Sequence, residues 1–184
     1  MYLEGIETNR TRLWILNSLL ELVGQKDYNS ITIDMIVDRA QLGRRTFYRY
    51  FKTKDDAMKY TMQLLMNIFA EEIMKSQASG IEQVTIVYFE FWERYIDILL
   101  RLKKARVLYF IEDNLADLIM DVAGKVKHIP HDSADRYSDT AHDKYYYEFF
   151  IKLAGYWKAT TIWCEEYPRK SPKEMAEILT QLFR

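Results

Sequence analysis

ITIDMIVDRAQLGRRTFYRYFKTK, residues 31–54, is the most informative stretch of this chain. It holds six basic residues against two acids, Asp34 and Asp38, and no acid follows Arg39. The basic residues are Arg39, Arg44, Arg45, Arg49, Lys52 and Lys54. They interleave with threonine, tyrosine and phenylalanine. The pattern predicts a small helical unit with one apolar side and one side suited to a phosphate backbone.

The composition of the whole chain favours an all-α fold. Of the 184 residues, 49% are hydrophobic, which is ample for a packed core. There are six glycines and three prolines, and the first proline is Pro130, so long helices before it meet few interruptions. No stretch shows the period-2 alternation that is typical of strands. About eight or nine helices are expected from the apolar periodicity.

Cysteine content and the N-terminal segment predict a cytoplasmic protein. The single cysteine, Cys164, excludes a disulfide within the chain and a zinc site built from several cysteines. It fits a reducing cytosol, and burial is expected for it rather than a redox role. The segment MYLEGIETNRTRL lacks the apolar core of a signal peptide. No apolar run approaches the roughly 20 residues that a membrane span needs.

Charge is unevenly spread along a chain whose formal net charge is −1. Residues 1–60 carry ten Lys and Arg against eight Asp and Glu, a net charge of +2. The remainder carries 16 against 19, a net charge of −3. The difference is consistent with a polyanionic partner for the N-terminal part.

The N-terminal part is predicted to form three helices. The first covers about residues 8–23 and carries an apolar stripe at helical spacing. The second begins after Thr32, a good N-cap, and has Asp34 in its first turn, where the helix dipole favours an acid. A tight break at 41–43 precedes the third helix.

The third predicted helix, about residues 44–51, is basic and aromatic. Phe47 and Phe51 are four residues apart and are expected to point inward. Two short helices joined by a tight turn form a helix-turn-helix candidate, in which the second helix enters the major groove of DNA. Arginine is the best bidentate reader of guanine, and hydroxyls and lysines hold phosphates.

A longer helical part is predicted to follow. Helices are expected over about residues 55–76, 84–99, 104–123 and 144–166, with a last helix from Pro172. The polar segment 124–143 is interpreted as a long loop. A group of possible metal ligands lies there without a helical or hairpin frame, so no metal site and no cofactor are assigned. These residues are His128, His131, Asp132, Asp135 and His142.

Residues 32–57, TIDMIVDRAQLGRRTFYRYFKTKDDA, resemble the DNA-binding domain of the TetR/AcrR family of bacterial transcriptional regulators. The most specific part is TFYRYFKTK, residues 46–54. The resemblance implies a helix-turn-helix DNA-binding domain over residues 1–54 and a helical regulatory and dimerisation domain over 55–184. It implies a homodimeric repressor of a palindromic operator, controlled by an effector in the C-terminal domain.

Two alternatives stay open beside that function. One is a regulator controlled by a protein partner with no small-molecule ligand, and the other is a helical protein-interaction module. An enzyme is not expected, because no Ser/His/Asp constellation, phosphate-cradling glycine loop or paired-carboxylate motif is present.

The resemblance also implies a role for each position of the helix-turn-helix. The groove-facing residues would be Arg44, Arg45, Thr46 and Arg49, with the first two as base readers. The phosphate contacts would be Thr32, Tyr48, Tyr50 and Lys54. Tyr50 is alternatively a core residue. Asp34 either accepts from a cytosine amine or serves the helix dipole.

The sequence departs from the family pattern in the turn. Gln41 stands where the family often has Gly, Gly43 where it often has Ser, and Arg45 where many members have Gly. Gly43 can still cap the third helix, although usually less well than serine. The turn, and with it the start of the third helix, is therefore expected to differ from the family pattern.

Aromatic residues crowd the C-terminal part, where the resemblance implies ligand binding. Either they form an ordinary core or some of them line a pocket for a small effector. The candidate wall residues are Tyr88, Trp92, Tyr95, Tyr109 and Trp157. The tail from Gly155 to Leu179 resembles a subgroup whose members often lack an identified ligand, so the effector stays open.

Dimerisation is predicted from two apolar stripes in the C-terminal part. The candidate interface residues are Ile151, Gly155, Ala159, Ile162, Met175, Leu179 and Leu182. Small residues in the first stripe allow a second helix to approach closely. Two helices per subunit would form a four-helix bundle about a two-fold axis. Two recognition helices about one DNA turn or more apart would then read a palindrome.

Overall fold

The computed structural model describes Leu3, residues 9–112 and residues 140–182, and of residues 140–146 and 149 the backbone alone. Every regular element in these ranges is helical, which confirms the all-α prediction. The elements are α1 (Arg10–Val23), a 3-10 turn (Tyr28–Ser30), α2 (Ile33–Arg39), α3 (Arg44–Tyr50), α4 (Lys54–Ser76), α5 (Ile81–Arg94), α6 (Ile96–Lys104), α7 (Thr140–Trp163) and α8 (Pro172–Leu182). None of these helices is both long and apolar enough to cross a membrane.

The chain divides into two compact units. Unit 1 comprises residues 1–65 and 95–112, and unit 2 comprises residues 66–94 and 113–184. Helix α4 contributes residues 54–65 to unit 1 and residues 66–76 to unit 2, whereas the sequence prediction divides the chain between residues 54 and 55.

The core of unit 1 forms around α1. Asn9 starts this helix, because its side-chain oxygen accepts from the backbone N–H of Thr11 at 3.0 Å. The apolar side of α1 is buried and packs against α2 and α6. Its fully buried members are Ile15, Leu16, Leu19 and Leu20. Burying large aliphatic side chains of this kind contributes about 1.5–3 kcal/mol each to folding.

The predicted helix over 84–99 is two helices in the structure. It breaks at Tyr95, whose φ of −102° and ψ of 22° leave the helical region. The apolar spacing runs through the break without glycine or proline, so the sequence carries no local stop signal. The two helices bury their apolar faces in different units: α5 contributes Trp92 to unit 2, and α6 contributes Leu102 to unit 1.

The predicted helix start at residue 104 is wrong. Helix α6 ends there, and Arg106 adopts a left-handed backbone with a φ of 60°. The N–H of Val107 donates to the carbonyl of Leu102 at 2.9 Å, which closes the helix end in a Schellman motif. A new helical turn begins at residue 109, and residues 113–123 of the predicted helix lie outside the described ranges.

Unit 2 has an aromatic core that contains paired hydroxyls. Tyr88, at 5% exposure, lies 2.8 Å from the hydroxyl of Thr160, which itself donates to the carbonyl of Tyr156. Tyr88 therefore donates to Thr160. Burial raises the pKa of the Tyr88 phenol, so it stays protonated. A buried hydroxyl with a partner avoids the cost of desolvation, which allows this polar pair inside an apolar core.

Helix α8 begins as the sequence predicts. The hydroxyl of Ser171 accepts from the N–H of Glu174, whose carboxylate accepts from the N–H of Ser171 at 2.7 Å. This reciprocal capping box also holds the pKa of the Glu174 carboxyl below its usual range, because the hydrogen bonds favour the charged form. The helix packs against α5 and buries Met175 and Leu179.

Candidate nucleic-acid interface

Helices α2 and α3 are joined by a tight turn at residues 40–43. Gln41 has a φ of 55°, in the left-handed region that usually favours glycine. The N–H of Leu42 donates to the carbonyl of Val37 at 2.8 Å, and that of Gln41 donates to Asp38 at 3.2 Å. These two bonds form a Schellman motif that ends α2. Position 41, where the family often has glycine, is therefore the position that requires a positive φ.

The inner side of α3 fixes the helix to unit 1. Phe47 is completely buried and Phe51 is 6% exposed, as the sequence predicts. The centres of their rings lie 5.9 Å apart, and the ring of Phe51 also contacts that of Tyr60 in α4, with the centres 5.7 Å apart. Aromatic contacts at these distances add to the stabilisation from burial. Helix α3 is seven residues long, so this packing, rather than its own hydrogen bonds, holds it in place.

The outer side of α3 carries basic and hydroxyl side chains in solvent. Four exposed residues recur at helical spacing on this face: Arg44, Arg45, Tyr48 and Arg49. Arg45 makes no hydrogen bond or ion pair with any residue that the structure describes. Thr46 is half-buried at the edge of the face. A positively charged helical face of this kind is suited to an anionic groove.

Arg44 is held by two neighbours. Its Nη1 lies 3.1 Å from each carboxylate oxygen of Asp34, in the first turn of α2. Its Nη2 donates to the hydroxyl of Tyr48 at 3.5 Å, and its guanidinium lies 6.0 Å from the centre of the Tyr48 ring. The hydroxyl of Tyr48 and the charge of Asp34 raise the pKa of Arg44 further above its already high value. The pair links the two helices across the turn.

Tyr50 lies between two guanidinium groups. Arg49 is 5.0 Å from the centre of its ring and Arg12, from α1, is 5.3 Å away. Arg12 also donates to the hydroxyl of Tyr60 at 3.3 Å. Tyr50 is half-buried, which is intermediate between the two predicted roles of phosphate contact and core residue. Its ring supports two positive charges at the edge of the α3 face.

Thr32 and Lys54 flank the face in different ways. Thr32 is exposed and caps α2, with its hydroxyl accepting from the N–H of Met35 at 3.3 Å. The ammonium of Lys54 donates to the carbonyls of Tyr28, Asn29 and Ile31, at 2.6, 3.2 and 2.9 Å. All three of its donors are thus directed at the 3-10 turn. Of the predicted phosphate contacts, Lys54 is the one whose hydrogen-bond donors are already used within unit 1.

Sequence reasoning missed the contacts that Arg12, Tyr28 and Asp34 make at this surface, although it singled out Asp34 as an acid in the first turn of α2. The guanidinium of Arg12 lies over the ring of Tyr50, and the carboxylate of Asp34 pairs with Arg44. The backbone carbonyl of Tyr28 accepts from the ammonium of Lys54, and the Tyr28 hydroxyl donates to the carboxylate of Asp55 at 2.7 Å. Burial and the Asp55 carboxylate raise the pKa of the Tyr28 phenol, which keeps this donor protonated. These partners are 10 to 38 positions apart in the sequence, so no helical spacing could have indicated them.

Comparison with known proteins supports this helix-turn-helix. Residues 15–59 match the bacterial regulatory proteins of the TetR family. The match identifies this segment as a DNA-binding domain of the TetR type. TetR-family proteins are DNA-binding transcriptional regulators, and the match contains the whole α3 face. No curated protein matches the chain in a sequence search.

Solved structures of three regulators share the fold over nearly the whole chain. The fatty acid degradation regulator FadR from Bacillus halodurans is 18% identical, with 96% of each chain covered and a TM-score of 0.59. Thermus thermophilus FadR, a repressor in complex with lauroyl-CoA, is 19% identical, with 94% and 92% covered and a TM-score of 0.54. The dihydroxyacetone kinase operon activator DhaS is 18% identical, with 95% and 94% covered and a TM-score of 0.52.

The five candidate pocket residues are distributed over both units. Tyr88, Trp92 and Trp157 are buried in unit 2. The centre of the Trp92 ring lies 6.4 Å from that of Tyr88 and 5.8 Å from that of Trp157. Tyr95 and Tyr109 belong to unit 1, and Tyr109 is exposed and stacks on Phe110 at 4.5 Å. The structure therefore brings three of the five together.

The candidate dimer residues differ in exposure. Ile151, Ile162 and Leu182 are 67%, 53% and 70% exposed. Gly155 and Ala159 are half-buried on the same face of α7 as the two isoleucines. Met175 and Leu179 are buried within unit 2, so the exposed side of α8 is formed by Ile178 and Leu182 instead.

The remaining candidate residues concern metal binding and redox chemistry. His128, His131, Asp132 and Asp135 lie outside the described residues, and of His142 only the backbone, within α7, is described. Among the residues that the structure does describe, no group of three or more ligating side chains could hold a metal ion. Cys164 is buried, as predicted, and its thiol lies 3.4 Å from the carbonyl of Thr161.

Proposed function

We propose that the protein is a homodimeric, sequence-specific repressor whose affinity for a palindromic operator is controlled by an effector. The observation that carries the proposal is the outer face of α3, where three arginines and a tyrosine stand in solvent on a TetR-family helix-turn-helix. A surface that concentrates positive charge attracts polyanions through its electrostatic potential. The shape of an α-helix matches the major groove.

The proposed roles divide these side chains between base edges and phosphates. Arg44 and Arg45, at the start of α3, reach base edges, because the first residues of a recognition helix are the ones that enter the groove. Arg49 and Thr46 line the groove wall. Thr32, Tyr48 and Tyr50 hold phosphates on the two flanks. Lys54 contributes its charge to the phosphate backbone while its donors hold the 3-10 turn.

The proposed dimer uses the exposed apolar side of α7 and α8. Isoleucines and a leucine more than half exposed are costly in a monomer and typical of an interface core. Gly155 and Ala159 between them permit close approach of a second helix. A two-fold dimer would present two α3 faces to one side of the DNA.

The effector is proposed to act through unit 2. The buried cluster of Tyr88, Trp92 and Trp157 is a candidate wall for an apolar ligand. The complex of Thermus thermophilus FadR with lauroyl-CoA makes acyl-CoA thioesters the first ligand class to test. Control by a protein partner is the alternative, and the similarity to an operon activator makes activation the alternative to repression.

The test is salt-dependent binding to DNA from the regions flanking the gene. Arg44→Ala combined with Tyr48→Ala should abolish specific binding, because a base reader and a phosphate contact are lost together. Wild-type affinity should fall steeply with salt, since each neutralised phosphate releases counterions. Operator affinity unchanged by the double variant, or wild-type retention independent of salt, would show a protein-interaction module instead.

A matched control removes the same charge elsewhere. Lys104→Ala deletes one positive charge at the exposed end of α6, outside the proposed interface. We expect wild-type affinity and an unchanged salt slope for this variant. Sedimentation of all three proteins would show that the loss of binding does not come from a change in assembly.

A further inference from the structure

The ion pair between Asp34 and Arg44 is a contact of the α3 face that the stability of the fold does not account for. Asp34 is in the first turn of α2 and Arg44 is the first residue of α3, and their side chains are 57% and 60% exposed. An ion pair this exposed adds little to stability, because solvent screens it. A carboxylate beside a DNA-binding surface also repels phosphates. The pair therefore needs a reason other than folding.

The geometry of Arg44 supplies such a reason. Asp34 holds Nη1 from one side, with both carboxylate oxygens at 3.1 Å, and the Tyr48 hydroxyl meets Nη2 at 3.5 Å. Two of the five N–H donors of the guanidinium are used by these contacts. The remaining donors are free for O6 and N7 of a guanine, the acceptor pair that arginine recognises in the major groove. The long, flexible side chain is thereby restricted before it meets DNA.

We propose that Asp34 is a positioning residue that fixes the Arg44 guanidinium for bidentate recognition of one guanine in each operator half-site. The inference rests on the proposed DNA-binding function. Asp34 touches no base in this account and acts through Arg44 alone. Neutralising it should therefore weaken the preference for guanine at one position, even though it removes a charge that repels DNA.

The experiment is selection of binding sites from random double-stranded DNA by the full-length protein, with base preference quantified at every position. Wild type should enrich a two-fold motif that contains a guanine. Arg44→Ala should reduce the preference for that guanine by about tenfold or more, the range expected for loss of a bidentate contact. Asp34→Asn should reduce it about threefold or more at the same position and leave the other positions unchanged.

Asp38→Asn is the matched control. Asp38 is exposed on the same helix, and among the described residues no hydrogen bond or ion pair joins it to Arg44. Its replacement removes the same charge, so it should strengthen binding to all sequences alike and leave the guanine preference intact. A loss of stability in Asp34→Asn would lower all affinities together, and cannot imitate a change confined to one base pair.

Three results would overturn the inference. Asp34→Asn with an unchanged guanine preference would show that Arg44 needs no support. A changed preference for cytosine at a different position would make Asp34 a base reader itself. An Arg44→Ala variant with wild-type preferences would remove the reader that Asp34 is meant to position. Failure of the wild-type protein to enrich any motif would instead contradict the proposed function as a whole.

Discussion

At the scale of single residues, Lys54 shows how one side chain can organise a loop. Its ammonium meets three carbonyls of residues 28–31 and lies 4.6 Å from the centre of the Tyr28 ring. The first residue of α4 is thereby joined to the segment that connects α1 and α2. Three carbonyl oxygens that point toward one another would repel without a cation between them.

Replacement of Lys54 by methionine should destabilise unit 1. The change keeps the length of the side chain but leaves the part-buried carbonyls of Tyr28 and Ile31 without their donor, which should cost about 2 kcal/mol in the free energy of unfolding. Urea denaturation followed by circular dichroism measures this quantity. Lys52→Met is the control, because Lys52 is exposed and makes no hydrogen bond or ion pair with a described residue, and it should stay within about 0.5 kcal/mol of wild type. Equal stability of the two variants would contradict the role given to Lys54.

The sequence indicates some of these residue roles and not others. Burial of Phe47 and Phe51 follows from their spacing of four and is confirmed. The contacts of Lys54 reach back 23 to 26 positions, and the pairing of Arg44 with Asp34 spans ten. Such contacts depend on how α2, α3, α4 and the segment between α1 and α2 pack together. The sequence therefore predicts which residues are basic and exposed but not how their charges are paired.

At the scale of helices, the turn between α2 and α3 contains two residues that are unfavourable for its stability. Gln41 adopts a left-handed backbone without being glycine, which costs an L-residue roughly 1–2 kcal/mol. Gly43 caps α3 with a φ of −88° and a ψ of 153° but offers no side-chain acceptor. The family pattern often places Gly at the first of these positions and Ser at the second. Here the sequence departs from the pattern at both positions, and α3 begins at Arg44, the residue at which the sequence predicts its start.

Serine at position 43 should stabilise α3. The backbone already has the conformation of an N-cap, and a β-carbon at Gly43 would meet no atom within 4 Å. Gly43→Ala is the control, because it adds the same carbon without an oxygen to accept from the N–H groups of α3. We expect the serine variant to be more stable than the alanine variant by about 1 kcal/mol in chemical denaturation. Equal stability of the two would show that α3 begins elsewhere.

Helix boundaries are predictable where local chemistry sets them. The caps at Thr32 and Ser171 are confirmed because their hydroxyls accept backbone donors three residues ahead. The break at Tyr95 was missed, because apolar residues continue at helical spacing across it. It reflects burial of α5 and α6 in two separate units, which is a tertiary effect that local periodicity does not contain.

At the scale of the whole molecule, the proposed dimer joins the two α3 faces into one reader. A single face with three arginines covers only a few base pairs, and specificity for an operator requires two half-sites. Exposed apolar residues of α7 and α8 provide the surface on which two copies would meet. A stable interface buries about 800 Å² on each copy, which two helices can supply.

Aspartate at positions 151 and 162 should convert the dimer into monomers. Both isoleucines are more than half exposed within one chain, so the double substitution leaves the core of the subunit intact. Burying two charges per subunit at an apolar interface is strongly unfavourable. Ile81→Asp is the control, since Ile81 is 54% exposed on α5. Analytical ultracentrifugation should give a monomer for the double variant and a dimer for the control, and a dimer in both would exclude this surface.

Hydroxyl-radical footprinting on a sequence selected by the wild-type protein tests the central claim, a two-fold DNA reader built on α3, most directly. We predict two symmetric protected patches on one side of the duplex, with centres about one helical turn (~34 Å) or more apart. Both should disappear in Arg44→Ala/Tyr48→Ala and remain in Lys104→Ala. A single asymmetric patch, or protection that survives the loss of Arg44 and Tyr48, would contradict the account.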